Sequence, residues 1–83
     1  MIRLCFFARF REKLGVSEEN FPLDNVILVE ALLSTLARRG DHWQDLFDCP
    51  KGVLVAINQQ MATFASEVRP GDEVALFPPV TGG

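Results

Sequence analysis

An apolar residue stands at every second position at the start of the chain, and two arginines fall between them, which predicts a β-strand over Ile2–Phe10. The even positions form an apolar set, which is the natural core face: Ile2, Leu4, Phe6 and Ala8. The odd positions would face the other way: Arg3, Cys5, Phe7 and Arg9. Phe7 is therefore expected as a large aromatic side chain on the outer face of a sheet. A short helical turn is predicted next, over Arg11–Gly15, with Gly15 closing it.

The spacing of apolar residues then changes to three and four, which predicts the main helix. Its apolar stripe consists of Val29, Leu32, Leu33, Leu36 and Ala37. The start of this helix stays open: Asn25 is a good N-cap by chemistry, whereas β-branched residues in Val26–Leu28 favour an extended segment. Gly40 suits the end of the helix. A short second helix is expected over Asp41–Phe47, with Trp43 packed as a lid on the core.

Short apolar segments separated by turn residues make up the rest of the chain. Further strands are predicted over Ser17–Leu23, Val53–Ile57, Met61–Phe64 and Glu73–Phe77. Turn residues at Asn58–Gln60 and Arg69–Asp72 separate the last three of these strands. One helix lying across a mixed sheet is an economical two-layer arrangement, with the very apolar first and last strands at its centre. The pattern thus predicts an α+β fold, a ubiquitin-like β-grasp with about five strands, one main helix and short extra helices.

Composition and charge narrow the class of protein. The chain has 83 residues, of which 48% are hydrophobic, as expected of one small globular domain. No apolar run approaches the ~20 residues of a membrane span, and arginines interrupt the first segment where a signal peptide would be apolar. A cytoplasmic protein is expected, without a membrane partner. The net charge of −3 argues against a nucleic-acid partner, which normally needs clustered positive charge.

The side chains offer little catalytic chemistry. The chain contains no Gly-rich phosphate loop ending in Gly-Lys-Ser/Thr, and no cluster with the spacing of metal ligands. His42 is the single histidine and has no evident nucleophile to serve. Cys5 and Cys49 lie far apart in sequence, and Cys5 is expected as a small apolar filler within its strand. We therefore expect no enzyme activity, metal or cofactor from this chain on its own.

The C-terminal sequence Phe77-Pro78-Pro79-Val80-Thr81-Gly82-Gly83 has no charged side chain. The prolines cannot continue the interior of a sheet and stiffen the chain, and the glycines let other groups approach the backbone closely. We expect a β-grasp domain over residues 1–77 and an extended tail over residues 78–83, with a reach of roughly 20 Å. Its terminal carboxylate would become an acyl donor after adenylation. The ATP and Mg²⁺ for that step would belong to a partner enzyme, because nothing in this chain can cradle them.

This tail, together with the preceding Gly71-Asp72-Glu73-Val74-Ala75, resembles the small subunits of molybdopterin synthases. The stretches Ile2–Arg11 and Val55–Gln59 are also similar to that family, so the resemblance covers nearly the whole chain. It implies a sulfur carrier whose terminal glycine is adenylated by a ubiquitin-activating-type adenylyltransferase and converted to a thiocarboxylate. The tail then enters the large subunit of the synthase. There the sulfur passes to cyclic pyranopterin monophosphate and forms the dithiolene of molybdopterin.

The resemblance also implies the roles of particular residues. Gly83 would carry the sulfur and Gly82 would permit access to it. The inserted arm would consist of Pro78, Pro79, Val80 and Thr81. An apolar patch that meets both partners would fall on Phe7, Met61 and Phe77, with Arg11 as a further partner contact. The alternative for this patch is internal packing under the short helix or against the tail.

Two other functions are compatible with a Gly-Gly end. One is a sulfur carrier for thiamine synthesis or thiolation, where the Pro-Pro-Val-Thr approach to the glycines is less expected. The other is a protein modifier that is conjugated to lysines through Gly83. The family resemblance is weaker over Asp41–Lys51, and the helix has Leu28 where such carriers often have a Thr or Ser cap.

Overall fold

The first and last strands pair in parallel in the middle of the main sheet. The computed structural model describes residues 1–48 and 52–79. Its elements are β1 (Ile2–Phe6), α1 (Ala8–Leu14), β2 (Glu18–Phe21), β3 (Ile27–Leu28), α2 (Val29–Ala37), α3 (Asp41–Phe47), β4 (Leu54–Ile57), β5 (Gln60–Ala62), β6 (Glu67–Val68) and β7 (Glu73–Phe77). The five-stranded sheet has the order β2-β1-β7-β4-β5, and β3 pairs with β6 in a separate two-stranded sheet. This arrangement confirms the predicted β-grasp fold.

The core lies between α2 and one face of this sheet. All five residues of the predicted helical stripe are buried, the most exposed being Ala37 at 6%. The sheet contributes Leu4, Val55, Val74 and Leu76, each at most 1% exposed. Burying one large apolar side chain contributes about 1.5–3 kcal/mol, so the stripe and these strand residues account for much of the stability. Trp43 packs edge-on against Phe6 with ring centroids 5.4 Å apart, which confirms its place over the core.

The first strand is shorter than its sequence pattern suggested. β1 ends at Phe6, and the chain enters α1 at Ala8, which is exposed and does not share the core face as predicted. The reason is Phe10, which is 1% exposed and packs against Phe47 with ring centroids 5.7 Å apart. A helical turn brings Phe10 into the core, whereas a continued strand would carry it past the end of the sheet. Gly15 ends α1 in a left-handed conformation, as predicted.

The main helix begins at Val29, and Asn25 is not its N-cap. Leu28 holds the cap position with no side-chain hydrogen bond, because backbone carbonyls of a neighbouring loop serve the first helical N–H groups. Val29 donates to the Ser66 carbonyl and Glu30 donates to the Phe64 carbonyl, both at 2.9 Å. The extended alternative before the helix is thus correct, and it forms β3. The β3–β6 sheet was missed by the sequence pattern because two-residue strands show no periodicity.

The remaining boundaries differ by small amounts from the predicted ones. The segments α3 and β7 match their predicted ranges, and β4 begins one residue later than expected. The strand β2 begins one residue later and ends two residues earlier than predicted. The strand β5 begins at Gln60, which was predicted as a turn residue but pairs with Ile57, and it ends at Ala62. In residues 1–48 and 52–79, no helix is both long enough and apolar enough to cross a membrane. Cys49 and the segment from Val80 to Gly83 lie outside the described residues.

Arg39 joins three elements at one end of the molecule. Its guanidinium donates two hydrogen bonds to the Glu19 carboxylate on β2, at 2.8 and 2.5 Å. The same group lies 4.4 Å from the ring centroid of Trp43 on α3, within the range of a cation–π interaction. The hydrogen bonds from Arg39 hold the pKa of the Glu19 carboxyl below its usual value, although partial burial acts in the opposite direction.

We expect Glu19→Gln to lower the free energy of unfolding by about 0.5–1 kcal/mol at neutral pH, because the charged partner of Arg39 is lost. The pKa of Glu19 is lower in the folded than in the unfolded protein. The stabilisation is therefore complete above the unfolded value of about 4.3 and is lost as the pH falls through the folded pKa. Urea unfolding of the wild type and the variant at a series of pH values measures this difference.

Glu18→Gln is the matched control for this prediction. Glu18 pairs with Arg3, but both side chains are about half exposed, at 51% and 54%. Solvent screening should make its loss smaller than that of Glu19. Equal losses for the two variants, or a difference that does not change with pH, would contradict a stabilising role for the pair of Glu19 and Arg39.

Candidate functional site

The sheet stops at the point where the C-terminal tail begins. On one side of β7 the last recorded backbone hydrogen bond to the β1 chain runs from the Phe7 N–H to the Leu76 carbonyl, at 3.2 Å. On the other side, Phe77 is paired with Leu54, the first residue of β4. Pro78 is half-buried and Pro79 is exposed. The tail therefore leaves from the end of the central strand, and the predicted sulfur-bearing Gly83 lies outside the described residues together with Val80, Thr81 and Gly82.

The face of the sheet opposite α2 carries a continuous set of apolar side chains. The strand register aligns Cys5 with Ala75, Ala75 with Ala56, and Ala56 with Met61, in one row across four strands. A second row, nearer the tail, contains Phe77 and its partner Leu54, with Phe7 directly after the end of β1. We call these seven residues the outer patch. The alternation of each strand places them away from the core, because Leu4, Val55, Val74 and Leu76 point to the buried face.

The outer patch includes the three apolar residues that the resemblance implied. Phe7 is 49% exposed, Met61 is 64% exposed and Phe77 is half-buried. Exposed apolar residues that form a contiguous set usually mark an interaction surface. Arg11 is exposed on α1 and belongs to neither row.

Four members of the outer patch were not predicted as partner contacts: Cys5, Leu54, Ala56 and Ala75. Strand parity already put Cys5 with Phe7, and Ala75 with Phe77, on shared faces. The missing information was the register between strands, which decides which outward residues become neighbours. Cys5, Ala56 and Ala75 have small side chains, so the middle of the outer patch is a shallow depression. The larger side chains of Phe7, Phe77 and Met61 surround it.

Charged residues border the outer patch on its β2 side. Arg3 forms an ion pair with Glu18, and this contact raises the pKa of the Arg3 guanidinium. Cys5 lies beside this pair, and burial raises the pKa of its thiol, with the Glu73 carboxylate acting in the same direction. A raised pKa keeps the thiol protonated and therefore weakly nucleophilic at neutral pH. Cys5 is 9% exposed, so it fills space between its neighbours on this face, which agrees with the predicted small apolar filler.

Asn58 fixes the β4–β5 hairpin that carries Met61. Its N–H donates to the Glu73 carbonyl at 2.8 Å, and its side-chain oxygen accepts the Glu73 N–H at 3.0 Å. Its side-chain amide also donates to the Asp72 carboxylate at 3.1 Å. Asn58 and Gln59 both have positive φ angles, 51° and 70°, as a tight two-residue turn requires. The hairpin is thereby tied to the start of β7.

A shallow apolar groove of about 300 Å³ adjoins the site at the edge of the sheet. It is lined by Val53, Leu54, Val55, Ala62, Thr63 and Phe64. Within residues 1–48 and 52–79, no group of three or more His, Cys, Asp or Glu side chains is arranged to hold a metal ion.

Known proteins share this architecture over the whole chain. A model of the ThiS family matches residues 4–83. Molybdopterin synthase sulfur carrier subunits from Haemophilus influenzae and Escherichia coli are 43% and 41% identical over 83 residues, which is 100% of this chain and of each relative. Two solved structures are also similar. A putative molybdopterin converting factor subunit 1 from Pyrococcus furiosus has a TM-score of 0.77 at 29% identity, covering 95% of this chain and 97% of its own.

The second solved structure is the small archaeal modifier SAMP1 from Haloferax volcanii, with a TM-score of 0.71 at 27% identity, covering 99% of this chain and 98% of its own. The fold and its central-strand tail thus define a ubiquitin-like β-grasp protein. Within that class, the chain belongs to the ThiS family.

We expect Asn58→Ala to lower the free energy of unfolding by about 1–2 kcal/mol, because it removes two side-chain hydrogen bonds. It also removes a residue type that tolerates a positive φ angle. Urea unfolding provides the measurement. Gln59→Ala is the matched control, since Gln59 has a similar backbone conformation and no side-chain hydrogen bond is found for it among the described residues. A control loss as large as that of Asn58→Ala would show that the hydrogen bonds to β7 are unimportant.

Proposed function

We propose that this chain is the sulfur-carrier subunit of molybdopterin synthase, and that it supplies sulfur to cyclic pyranopterin monophosphate in molybdenum-cofactor biosynthesis. The observation that carries the proposal is the end-to-end match to relatives of that name, at 43% and 41% identity with no uncovered segment on either side. The match includes the Gly-Gly end of the chain. A tail that leaves from the central strand beside an apolar surface is consistent with this role.

In this proposal the reactive group is the carboxylate of Gly83. Adenylation replaces a poor leaving group, because attack of the carboxylate on ATP releases pyrophosphate and leaves an acyl adenylate. Hydrosulfide, or a donor that delivers sulfur at the same oxidation level, then displaces AMP from the acyl carbon and leaves a thiocarboxylate. Gly82 leaves room for these approaches because it has no side chain. The six residues 78–83 form the tail, with Pro78, Pro79, Val80 and Thr81 as the inserted arm, and residues 1–77 form the domain that presents it.

The partners in this proposal hold the groups that the chain itself does not supply. A ubiquitin-activating-type adenylyltransferase would bind ATP and Mg²⁺, and the large subunit of the synthase would bind the pterin. Both would dock on the outer patch, with Arg11 as a further contact. The relatives are named as a subunit, which supports a carrier that has no catalysis of its own. The proposal has no nucleic-acid or membrane partner and sets the reaction in the cytoplasm.

Deletion of Gly83 should abolish sulfur transfer and leave the thermal midpoint close to that of the wild type. The reason is that the terminal carboxylate moves back by one residue, about 3.5 Å, and no longer reaches the reacting groups of the partners, whereas every residue of the described core lies between Ile2 and Leu76. Synthesis of molybdopterin from cyclic pyranopterin monophosphate, with purified large subunit and adenylyltransferase, measures the transfer. Transfer by the shortened chain, or a large fall in thermal midpoint, would contradict this division between tail and core.

Phe77→Ala should weaken binding to the large subunit by about 1–4 kcal/mol, because a large aromatic side chain of the proposed interface is lost. Calorimetric titration measures the affinity, and thermal unfolding reports any loss of fold. Val26→Ala is the matched control, because Val26 is an apolar residue that is 45% exposed and lies outside the main sheet. Equal affinities of the wild type and Phe77→Ala would remove Phe77 from the interface.

A second candidate function is protein modification, and the likeness to SAMP1 at 27% identity favours it. The intact mass of the protein purified from cells separates the two candidates. A chain heavier by the difference between sulfur and oxygen supports the carrier. A branched adduct that joins Gly83 to a lysine of another protein supports the modifier.

A further inference from the structure

β7 forms a ladder of backbone hydrogen bonds with β1 on one side and with β4 on the other. In each ladder the bonded residues alternate, so the next expected bond beyond the end of the strand can be identified. Towards β1, the Arg3 N–H donates to the Asp72 carbonyl at 3.0 Å, and the Phe7 N–H donates to the Leu76 carbonyl at 3.2 Å. In a parallel ladder, a β1 residue that donates to β7 through its N–H also accepts through its carbonyl. Its acceptor role is served by the β7 N–H two residues after the carbonyl to which it donates. The next donor in the series would be the N–H of residue 78, and its acceptor would be the carbonyl of Phe7.

Residue 78 is proline, which has no N–H, so the β1–β7 ladder has to stop there. The Phe7 carbonyl receives a different donor, the Phe10 N–H at 3.1 Å. The turn that brings Phe10 to this position passes through Ala8, which has a φ angle of 54°. A positive φ is uncommon for a non-glycine residue and carries a strain cost. The strained turn at Ala8 thus satisfies the carbonyl that Pro78 leaves unpaired.

The ladder between β7 and β4 ends in the same manner. The Asn58 N–H donates to the Glu73 carbonyl, so the hydrogen-bonded pairs of this antiparallel ladder fall at every second residue. The register continues this series through Ala56 with Ala75 and Leu54 with Phe77. The following pair would join residue 52 to residue 79 by two hydrogen bonds. Residue 79 is also proline, so the bond that its N–H would donate is lost, and only the bond from the N–H of residue 52 could form.

We propose that Pro78 and Pro79 are positioning residues that each end one ladder of the central strand, Pro78 towards β1 and Pro79 towards β4. Successive residues of a strand direct their N–H groups to opposite sides, so two consecutive prolines are the minimum that blocks both neighbours. The chain is thereby released at Phe77 for insertion into a partner. Insertion of the released tail into a partner rests on the proposed function. The ends of the two hydrogen-bond ladders do not depend on any partner.

Amide hydrogen exchange tests the ladder ends without a partner. In Pro78→Ala, the new amide of residue 78 should exchange about tenfold or more slowly than an unstructured amide, because the Phe7 carbonyl has a second lone pair and can accept this amide beside the Phe10 N–H. In Pro79→Ala, the new amide of residue 79 should be slowed similarly by pairing with residue 52. New amides that exchange at the unstructured rate in both variants would overturn the proposal.

Binding to the large subunit tests the positioning role. The double variant Pro78→Ala/Pro79→Ala should bind about tenfold more weakly, because the added sheet pairing must be broken before the tail inserts. Its thermal midpoint should equal or exceed that of the wild type, which a variant that merely damages the fold would not show. Pro22→Ala is the matched control, as Pro22 is exposed at the end of β2, and it should leave both the affinity and the exchange of the tail unchanged.

The two readouts separate the proposal from its rivals. Weaker binding with fast exchange at residues 78 and 79 would assign the prolines to stiffness of the tail and overturn the ladder proposal. Unchanged binding with slow exchange would overturn the positioning role. Failure of the wild-type chain to bind the large subunit, with slow exchange at the new amides, would count against the proposed function and leave the ladder ends in place.

Discussion

The parallel pairing of β1 with β7 is the contact on which the rest of the structure depends. It joins the two ends of the chain across almost the full sequence length, so the intervening segments have to be arranged around it. The strands β2 and β4 then add to its two sides, and α2 crosses the buried face. Pairing of such distant segments carries a loop-closure cost, which the buried residues of both strands have to offset. The stability of the core and the origin of the tail thus rest on one contact.

The same pairing gives the domain one face that forms the core and one that carries the outer patch. A strand alternates its side chains, so each residue that β1 or β7 buries is followed by one that points to the opposite face. In a sheet covered by helix on one side, the other face is free to carry apolar residues that meet a partner. The cost of exposing them is limited here because the middle of the outer patch consists of Cys5, Ala56 and Ala75, which offer little apolar area. The larger side chains stand at its margins, where a partner would cover them first.

The sequence predicted those features that depend on local periodicity. The stripe of α2 and the ranges of α3 and β7 were predicted correctly because each shows a clear helical or alternating pattern within a few residues. The end of β1 was wrong because Phe10 fits an alternating pattern and a helical one equally well, and only its contact with Phe47 decides between them. The β3–β6 sheet and the neighbours within the outer patch depend on pairing between distant segments. Such pairing leaves no trace in the local pattern.

A tail that is to enter a narrow site has to begin at a defined place, and the end of a central strand defines it better than the end of an edge strand. An edge strand is hydrogen-bonded to one neighbouring strand, so its pairing register can shift along that neighbour. β7 is held by two registers, to β1 and to β4, and a slip would have to break both ladders and move Val74 and Leu76 out of the core. The start of the tail is therefore fixed by the same residues that stabilise the fold.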